Sequence, residues 1–588
     1  MMTHDDILIV APRFRRDGGW VLDTQFVTTM GMPYLLAHGL GRPVEDAVAD
    51  FTAETAGEYH LFVYTFNWVA PWKKAEAPGL FDLLIDGKKA GPTFGGETPV
   101  WGWERGGPVA LEAGAHVLTL RDLTGFEGRF GMALLTKDPA PILPDTAEAV
   151  RAMVMERTCG PIEETEVYDL VVCGGGIAGI CAALTAAREG LKTALIQDRP
   201  VVGGNNSSEV RVWLGGETHF DPFPGIGNIV NEMEQKKVGH HGAENAADNY
   251  EDHKKLALLA AEKDLTVYLE HIVTDVCMAG DTIDAVTAWD YRDGKQLQIR
   301  GKLFSDCTGD GTLGHMAGAD YEITTNGHMG VSDLWYPVEC DREMPFPSCP
   351  WAIDLSKAAF PGREGVDLYG LPPLMALGGW FWESGCEHDP IGKAEYARDL
   401  NLRAMYGAWD ALKNCDGAFP NYRLGFCAFI AGKRESRRLL GDVILTKSDV
   451  QKGLYREDGC VPSTWTFDVH YPDKRFYAAF HEGDAFIAEA YQEPFHKPYF
   501  IPYRVLYSRN IRNMFMAGRN VSVSHDALGT VRVMRTGGMM GEVVGYAAAF
   551  CRKHDIFPRD VYQDHLEGFM TKLQAIPRCK RTELVANI

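Results

Sequence analysis

The stretch YDLVVCGGGIAGICAALTAAREGLKTALIQD, residues 168–198, decides the fold of this chain. Residues 170–173 are apolar throughout, as expected for a buried parallel strand. Three glycines at G-x-G-x-x-G spacing follow, then a helical stretch at 177–188 and a second apolar run at 193–196. This order of strand, glycine turn, helix and strand predicts a doubly wound α/β domain of the Rossmann type with a dinucleotide site.

The glycines predict how the turn meets a pyrophosphate. Gly174 permits the tight turn, Gly176 lets the backbone approach the phosphates, and Gly179 lets the helix pack close to the strand. The helix aims its N-terminal amide groups at the same phosphates. An acidic residue usually ends the second strand and holds the ribose hydroxyls. Here that position is Gln197, with Asp198 beside it, and either residue is a candidate ribose ligand.

Three later segments indicate which dinucleotide is bound. A glycine pair follows the second strand, the turn TGDG follows a predicted strand at 302–307, and a final strand and long helix carry more glycines near residue 540. The candidate cofactor-binding residues in these segments are Gly203, Gly204, Asp310, Gly518, Gly537 and Gly538. Their arrangement is similar to FAD enzymes of the glutathione-reductase class.

Five stretches together resemble a bacterial family of FAD-dependent oxidoreductases that is often found beside glycan-degradation genes. They are GGGIAGICAAL, RPVVGGNNSSEVRV, DCTGDG, KRESRRLLGD and AGRNVSVSHDALGTVRVMRTGGMMG. The resemblance implies FAD as cofactor. It also implies that Asp310 and the last helix hold the ribityl chain and the pyrimidine edge of the flavin. A separate domain for NAD(P)H is not predicted.

The first 143 residues are predicted to form an all-β sandwich. Short apolar runs alternate with turn residues, and Asp86-Gly87 is a strong hairpin signal. FDLLIDG, FGGETPVWGWERGG and LRDLTGFEGRFG resemble a carbohydrate-binding-type sandwich. Trp101, Trp103 and Phe126 are candidates for stacking on sugar rings; the alternative is that they pack the sandwich or its interface.

The predicted fold class is therefore α/β, an FAD-binding domain with an inserted substrate domain, preceded by the sandwich. The FAD-binding domain is expected at 165–321 and 506–556, because the α/β pattern stops near 321 and returns near 512. Residues 322–505, rich in aromatics and proline, are assigned to the substrate domain, and 557–588 to a C-terminal tail.

His525 is the predicted catalytic base, with Asp526 as the residue that orients it. A flavin that oxidises an alcohol takes a hydride while a base removes the hydroxyl proton, and histidine has a suitable pKa. The alternative for His525 is a bond to the cofactor or to a backbone carbonyl. Candidate substrate-binding residues are Glu209, Arg211, Arg434 and Arg438, and internal ion pairs are the alternative for each.

Composition excludes several classes of partner. The chain has 588 residues and a net charge of −22, so nucleic acid and membrane surfaces are not expected partners. The thirteen cysteines include no Cys-x-x-Cys pair, and no metal site is predicted. The start of the chain does not resemble a signal peptide, which favours a cytoplasmic protein. A homodimer is compatible with the size of the chain.

Three functions follow from the sequence. The first is FAD-dependent oxidation of a hydroxyl group of a sugar or glycoside, with an electron acceptor that the residues do not identify. The second is transient formation of a keto sugar that promotes elimination or glycoside cleavage without net redox. The third is a glycan-binding protein that keeps the FAD domain as a scaffold.

Overall fold

The computed structural model describes residues 6–239, 241–366, 369–453, 455–463, 465–477, 484–494 and 498–579. The chain begins with ten strands: β1 (Ile7–Val10), β2 (Val21–Asp23), β3 (Tyr34–Ala37), β4 (Ala47–Ala53), β5 (Gly57–Thr65), β6 (Phe81–Ile85), β7 (Lys88–Lys89), β8 (Gly102–Leu111), β9 (Gly114–Asp122) and β10 (Gly128–Thr136). Helix α1 (Val27–Met30) lies between β2 and β3, and helix α2 (Ala147–Thr158) follows β10.

These strands form two antiparallel sheets. One has the order β2-β3-β10-β5-β8, with β1 also paired to β10, and the other has the order β4-β9-β6-β7. Side chains from both sheets share one apolar core, which includes Tyr34, Leu61, Leu83 and Leu120. The Asp86-Gly87 turn joins β6 to β7, as the sequence predicts, and both residues have positive φ.

The glycine turn lies in an eight-stranded sheet. The elements of this region are β11 (Ile162–Glu164), β12 (Tyr168–Cys173), α3 (Ile177–Arg188), β13 (Thr193–Gln197), α4 (Asn228–Glu232), α5 (Asp252–Ala260), β14 (Leu265–Leu269), β15 (His271–Ala279), β16 (Thr282–Asp290), β17 (Lys295–Asp306) and α6 (Thr312–Met316). Strands β14-β13-β12-β17 are parallel, and β16 and β15 continue the sheet antiparallel. The predicted strand, helix and strand around the glycines are therefore confirmed, since their bounds agree within two residues.

The region predicted as inserted contains short strands and one long helix. In chain order the elements are β18 (Tyr321–Glu322), β19 (Val331–Ser332), β20 (Trp335–Glu339), α7 (Pro373–Ala376), β21 (Glu383–Ser384), α8 (Ala394–Asp410), β22 (Tyr422–Cys427), β23 (Gly432–Lys433), β24 (Arg438–Leu439), α9 (Lys447–Gln451), β25 (Gly459–Ser463), β26 (Phe467–Pro472), α10 (Lys474–Tyr477), β27 (Ala488–Glu493) and β28 (Tyr499–Pro502). The chain then returns to the large sheet through β29 (Met514–Met516), which pairs with β17, and ends in α11 (His525–Val531), α12 (Met534–His554) and α13 (Pro558–Gln574).

Two predicted boundaries differ from the structure. Many side chains between Leu439 and Leu506 belong to the same core as helix α3, so much of the second half of 322–505 packs as part of the FAD-type domain. Phe476, Phe486 and Ile487 instead belong to the core that contains α8. The predicted tail 557–588 begins with α13, whose Phe569 and Leu573 are fully buried in that core. Burial of these apolar side chains stabilises the added elements and explains why they are not separate.

No helix in the described ranges is long and apolar enough to cross a membrane.

Candidate cofactor site and active site

A cavity of about 480 Å³ opens at the carboxyl ends of β12, β13 and β17. Its walls include residues 173–178, 196–199, 203–205, 307–310 and 518–519. In open parallel sheets, ligands bind in the crevice outside the carboxyl ends of the strands. The volume lies within the range of small-molecule sites, about 300–1,000 Å³.

Each glycine of the turn occupies a different steric environment. A Cβ on Gly179 would lie 1.9 Å from the Gly174 carbonyl oxygen, so α3 packs directly on the turn. Gly174 has φ +102°, which glycine adopts without strain. A Cβ on Gly176 would meet nothing within 4 Å, and this residue lines the cavity. The space beside Gly176 is therefore open for the close approach of a pyrophosphate.

At the end of β13, the two candidate ribose ligands, Gln197 and Asp198, have different surroundings. The Gln197 amide oxygen accepts a hydrogen bond from Gly175 N at 2.7 Å, and its amide nitrogen donates to Val201 O. Gln197 thus braces the turn. Asp198 lines the cavity, and burial raises the pKa of its carboxyl group. No side chain of the described residues donates a hydrogen bond to this carboxylate, so Asp198 is the residue that could accept ribose hydroxyls.

The remaining predicted glycines divide into two groups. Gly203 and Gly204 lie beside the turn, since Gly203 N donates to Gly175 O at 2.8 Å, and both have positive φ. They line the cavity together with Gly518 and Gly537. Gly538 does not: a Cβ there would lie 2.5 Å from Val230 Cγ2, so this glycine permits helix packing.

Asp310 lines the cavity but is already held by cations. Its carboxylate accepts hydrogen bonds from Lys433 Nζ at 2.7 Å, from Arg519 Nη2 at 2.8 Å and from Ser436 Oγ at 2.7 Å. Lys433 and Arg519 hold its pKa well below the ordinary value despite burial. Both cations also line the cavity, which brings positive charge to it. Neither Lys433 nor Arg519 was among the residues predicted from the sequence, although Arg519 directly follows Gly518, a predicted cofactor-binding glycine.

Arg532 is a third cavity cation that was not among the residues predicted from the sequence. It lines the cavity just before α12 and donates to Asp468 Oδ2 at 3.1 Å. Its Nε–H is buried and has no hydrogen-bond partner among the described residues. Arg532 therefore brings a further positive charge to the cavity wall.

His525 stands at the first position of α11, and Glu435 holds it. His525 Nδ1 lies 2.8 Å from Glu435 Oε2, and the Glu435 carboxylate is fully buried. The hydrogen bond to Glu435 raises the pKa of His525. Asp526 was predicted to orient His525, but in the structure Glu435 does so. The Asp526 side chain is exposed, and only its charge acts on the imidazole ring. Nε2 of His525 has no described hydrogen-bond partner, and the side chain is 23% exposed.

The predicted substrate-binding residues Glu209 and Arg211 have internal partners and do not line the cavity. Glu209 pairs with Arg199 at 2.6 Å. The Arg211 guanidinium lies 3.4 Å from the centroid of the Phe426 ring and donates to the Tyr336 hydroxyl at 2.6 Å. Glu209 therefore forms an internal ion pair, as the alternative interpretation predicts, whereas Arg211 is held inside the protein by a ring and a hydroxyl group and not by an ion pair.

Arg434 and Arg438 are likewise engaged. Arg434 donates to Ser332 Oγ at 2.8 Å and pairs with Glu383 at 3.3 Å. Arg438 pairs with Glu435 at 2.5 Å. Arg438 therefore stabilises the carboxylate that holds His525, and neither arginine is on the cavity wall.

The three aromatic residues proposed for sugar stacking pack against protein. Phe126 is buried against the ring of Trp351, with centroids 5.1 Å apart. Trp101 Nε1 donates to Glu395 at 3.0 Å, and Trp103 Nε1 donates to Pro144 O at 2.9 Å. The structure fits the alternative interpretation, in which these rings pack the sandwich or its interface.

Comparison with known proteins gives one family and several partial relatives. The model of the family described as FAD dependent oxidoreductase matches residues 169–339 and 382–575. A glycerol-3-phosphate dehydrogenase of Mycobacterium leprae is 44% identical over 57 residues, which is 10% of this chain and 10% of that protein. The chain thus matches about a tenth of the length of this relative.

Two solved structures are similar to parts of this chain. A geranylgeranyl bacteriochlorophyll reductase-like protein from Thermoplasma acidophilum is 12% identical, covering 72% of this chain and 90% of that chain, with a TM-score of 0.34. A family 35 carbohydrate binding module from Clostridium thermocellum is 17% identical, covering 23% of this chain and 93% of that chain, with a TM-score of 0.17.

Proposed function

This chain belongs to the FAD-dependent oxidoreductase family, and we propose that it oxidises a hydroxyl group of a sugar or glycoside by hydride transfer to the flavin. The observation that carries the proposal is the His525–Glu435 pair, 2.8 Å apart. His525 begins α11, seven residues before Arg532 on the cavity wall, and Glu435 lies two residues after Lys433 on that wall; neither member of the pair lines the cavity itself. A histidine with one nitrogen held by a carboxylate and the other available is suited to remove a proton.

The cavity residues fit FAD. The open space at Gly176, the carboxylate of Asp198 and the cations Lys433 and Arg519 suit a pyrophosphate and a ribose. The amide groups at the start of α3 point toward the same phosphates. When bound, FAD supplies the acceptor for the hydride that leaves the substrate carbon.

The residues of the chain handle the proton. His525 Nε2 takes the hydroxyl proton while the carbon–oxygen double bond forms, so that one proton and one hydride leave the substrate. The imidazolium that results is stabilised by the Glu435 carboxylate, which stays ionised because His525 and Arg438 lower its pKa against burial. Arg438 also keeps this carboxylate from being a buried unpaired charge.

The sugar substrate is supported by the resemblance of the N-terminal segment to carbohydrate-binding sandwiches. Its two antiparallel sheets share one core, as the sheets of a sandwich do. The packed rings Trp101, Trp103 and Phe126 are not part of the proposal, because Trp101 and Phe126 contact the inserted region and Trp103 packs against the sandwich and Pro144.

The test is anaerobic mixing of the holoenzyme with a panel of sugars and glycosides while the flavin absorption is recorded. We expect one class of sugar to bleach the flavin band. His525→Gln should slow bleaching about 10²- to 10⁴-fold, whereas the control Asp526→Asn should stay within a fewfold of wild type. A rate in His525→Gln equal to wild type would exclude His525 as the base.

Other outcomes separate the alternatives. If no sugar bleaches the flavin but another alcohol does, the substrate class is wrong and the hydride chemistry stands. Sustained turnover of a glycoside with no electron acceptor would favour transient oxidation followed by elimination or cleavage.

A further inference from the structure

Part of the cavity wall comes from the N-terminal domain. Six consecutive residues, 24–29, line the cavity; they run from the end of β2 into the first three residues of α1. Arg151 of helix α2 lines it as well. Helices α1 and α2 are in contact, since a Cβ on Gly31 would lie 2.6 Å from Ala147 O. We name residues 24–29 and Arg151 the N-terminal wall.

The N-terminal wall is attached beside the ribose position. Arg199 directly follows Asp198, and its Nη1 donates to Leu22 O at 2.9 Å and to Thr24 Oγ1 at 3.1 Å. Ile272, on the strand after β14, lines the cavity and packs against the N-terminal core. The ribose-binding position lies at the end of the second strand of a dinucleotide fold. The wall therefore meets the cavity at its adenosine end.

A second attachment joins the wall to the inserted region. Gln25 Nε2 donates to Phe429 O at 2.9 Å, and Gln25 Oε1 accepts from Ala431 N at 2.7 Å. Ala431 also lines the cavity. The single side chain of Gln25 thus bridges two walls of the same site.

A buried ionic cluster holds the base of the wall. Arg398 Nη1 lies 3.1 Å from Asp23 Oδ2, and its Nη2 donates to the Tyr34 hydroxyl at 2.9 Å. Asp23 directly precedes the wall, and neither ionic side chain is exposed to solvent. Removing one partner from such a pair is strongly destabilising, because it leaves a buried charge. The N-terminal domain is therefore anchored and cannot swing away at little cost.

Arg151 is a cation without a partner. Across the described ranges it forms no hydrogen bond or ion pair, although the chain carries an excess of acidic residues. A solvent-facing arginine on a cofactor cavity is positioned to meet an anionic ligand.

From these contacts we propose that the N-terminal domain is a cofactor-retaining element, whose wall covers the adenosine half of bound FAD. This inference goes beyond the proposed substrate and depends only on FAD binding. It gives the N-terminal sheets a function at the cofactor site that requires no glycan.

The experiment titrates the full-length apoprotein with FAD and, separately, with ADP, which carries the adenosine and two phosphates but no flavin. Thr28→Glu places a carboxylate on the exposed face of the wall, and Arg151→Gln removes its cation. We expect each to weaken both FAD and ADP binding about tenfold or more. The controls Thr52→Glu, at an exposed position of β4, and Lys88→Gln, which removes an exposed cation of β7, should stay within about twofold.

Three results would overturn the proposal. Unchanged affinities in both wall variants would show that the wall does not touch the cofactor. Weaker FAD binding with unchanged ADP binding would exclude the adenosine half. An equal loss in the controls would show a general effect of charge or folding, which thermal unfolding of each apoprotein would also register. Failure of the sugar panel would leave this experiment unaffected.

Discussion

Replacing Gly176 and Gly179 separately with alanine should have two different effects: Gly176→Ala should weaken FAD binding, and Gly179→Ala should lower the stability of the apoprotein. The two glycines stand three residues apart in one turn, yet their surroundings differ. At Gly176, with φ −67°, an added Cβ meets nothing within 4 Å. At Gly179 the same atom would lie 1.9 Å from the Gly174 carbonyl oxygen, which belongs to the backbone and cannot rotate away.

The magnitudes follow from these distances. In Gly176→Ala the weaker N-cap and the lower entropy of the unfolded chain oppose each other, so the free energy of unfolding of the apoprotein should change by less than about 1 kcal/mol. The methyl group occupies the space that the pyrophosphate needs. Loss of one charge-assisted hydrogen bond, about 1.5–3 kcal/mol, weakens FAD binding roughly 10- to 150-fold. Gly179→Ala should instead destabilise the apoprotein by about 1–3 kcal/mol through overpacking.

The assay is denaturant unfolding of each apoprotein together with FAD titration followed by flavin fluorescence. Wild-type FAD affinity in Gly176→Ala would refute the assignment of this glycine to the pyrophosphate. Wild-type stability in Gly179→Ala would refute the close contact of α3 with the turn.

Three further predictions address the base, the domain interface and the ribose ligand. Glu435→Gln removes the carboxylate that raises the pKa of His525, so the pH profile of flavin reduction, which needs the neutral ring, should move to lower pH; an unmoved profile would contradict this pairing. Arg398→Met leaves the buried carboxylate of Asp23 without its ion-pair partner and should cost about 3–5 kcal/mol in urea unfolding. Arg15→Met, which breaks an exposed pair, should change little, and equal losses would argue against the buried cluster. Asp198→Asn should weaken FAD binding about tenfold without destabilising the apoprotein, because burial raises the pKa of this carboxyl and the neutral amide avoids the cost of a buried charge; normal FAD affinity would remove Asp198 as the ribose ligand.

Local patterns predicted the central part of the fold well. Helix α3 begins and ends at the predicted residues 177 and 188, and the Asp86-Gly87 hairpin forms where the turn residues indicate. Both depend on backbone conformations that few residue types adopt, so neighbouring residues carry the information. The structure differs from the predicted tail at 557–588 because an amphipathic helix is stable only against a partner, and α13 packs on α12, the helix directly before it. Residues 580–588 of that tail lie outside the described residues.

The sequence by itself determined the class of cofactor site, because the steric demands of a pyrophosphate turn are met within some thirty consecutive residues. Only the tertiary structure decided what surrounds that turn. The partner of His525 is Glu435, 90 positions earlier in the chain, rather than the adjacent Asp526. The wall at residues 24–29 reaches a turn about 150 positions away in the chain. Such contacts depend on which faces distant elements turn toward each other, and the packing of the whole chain sets those faces.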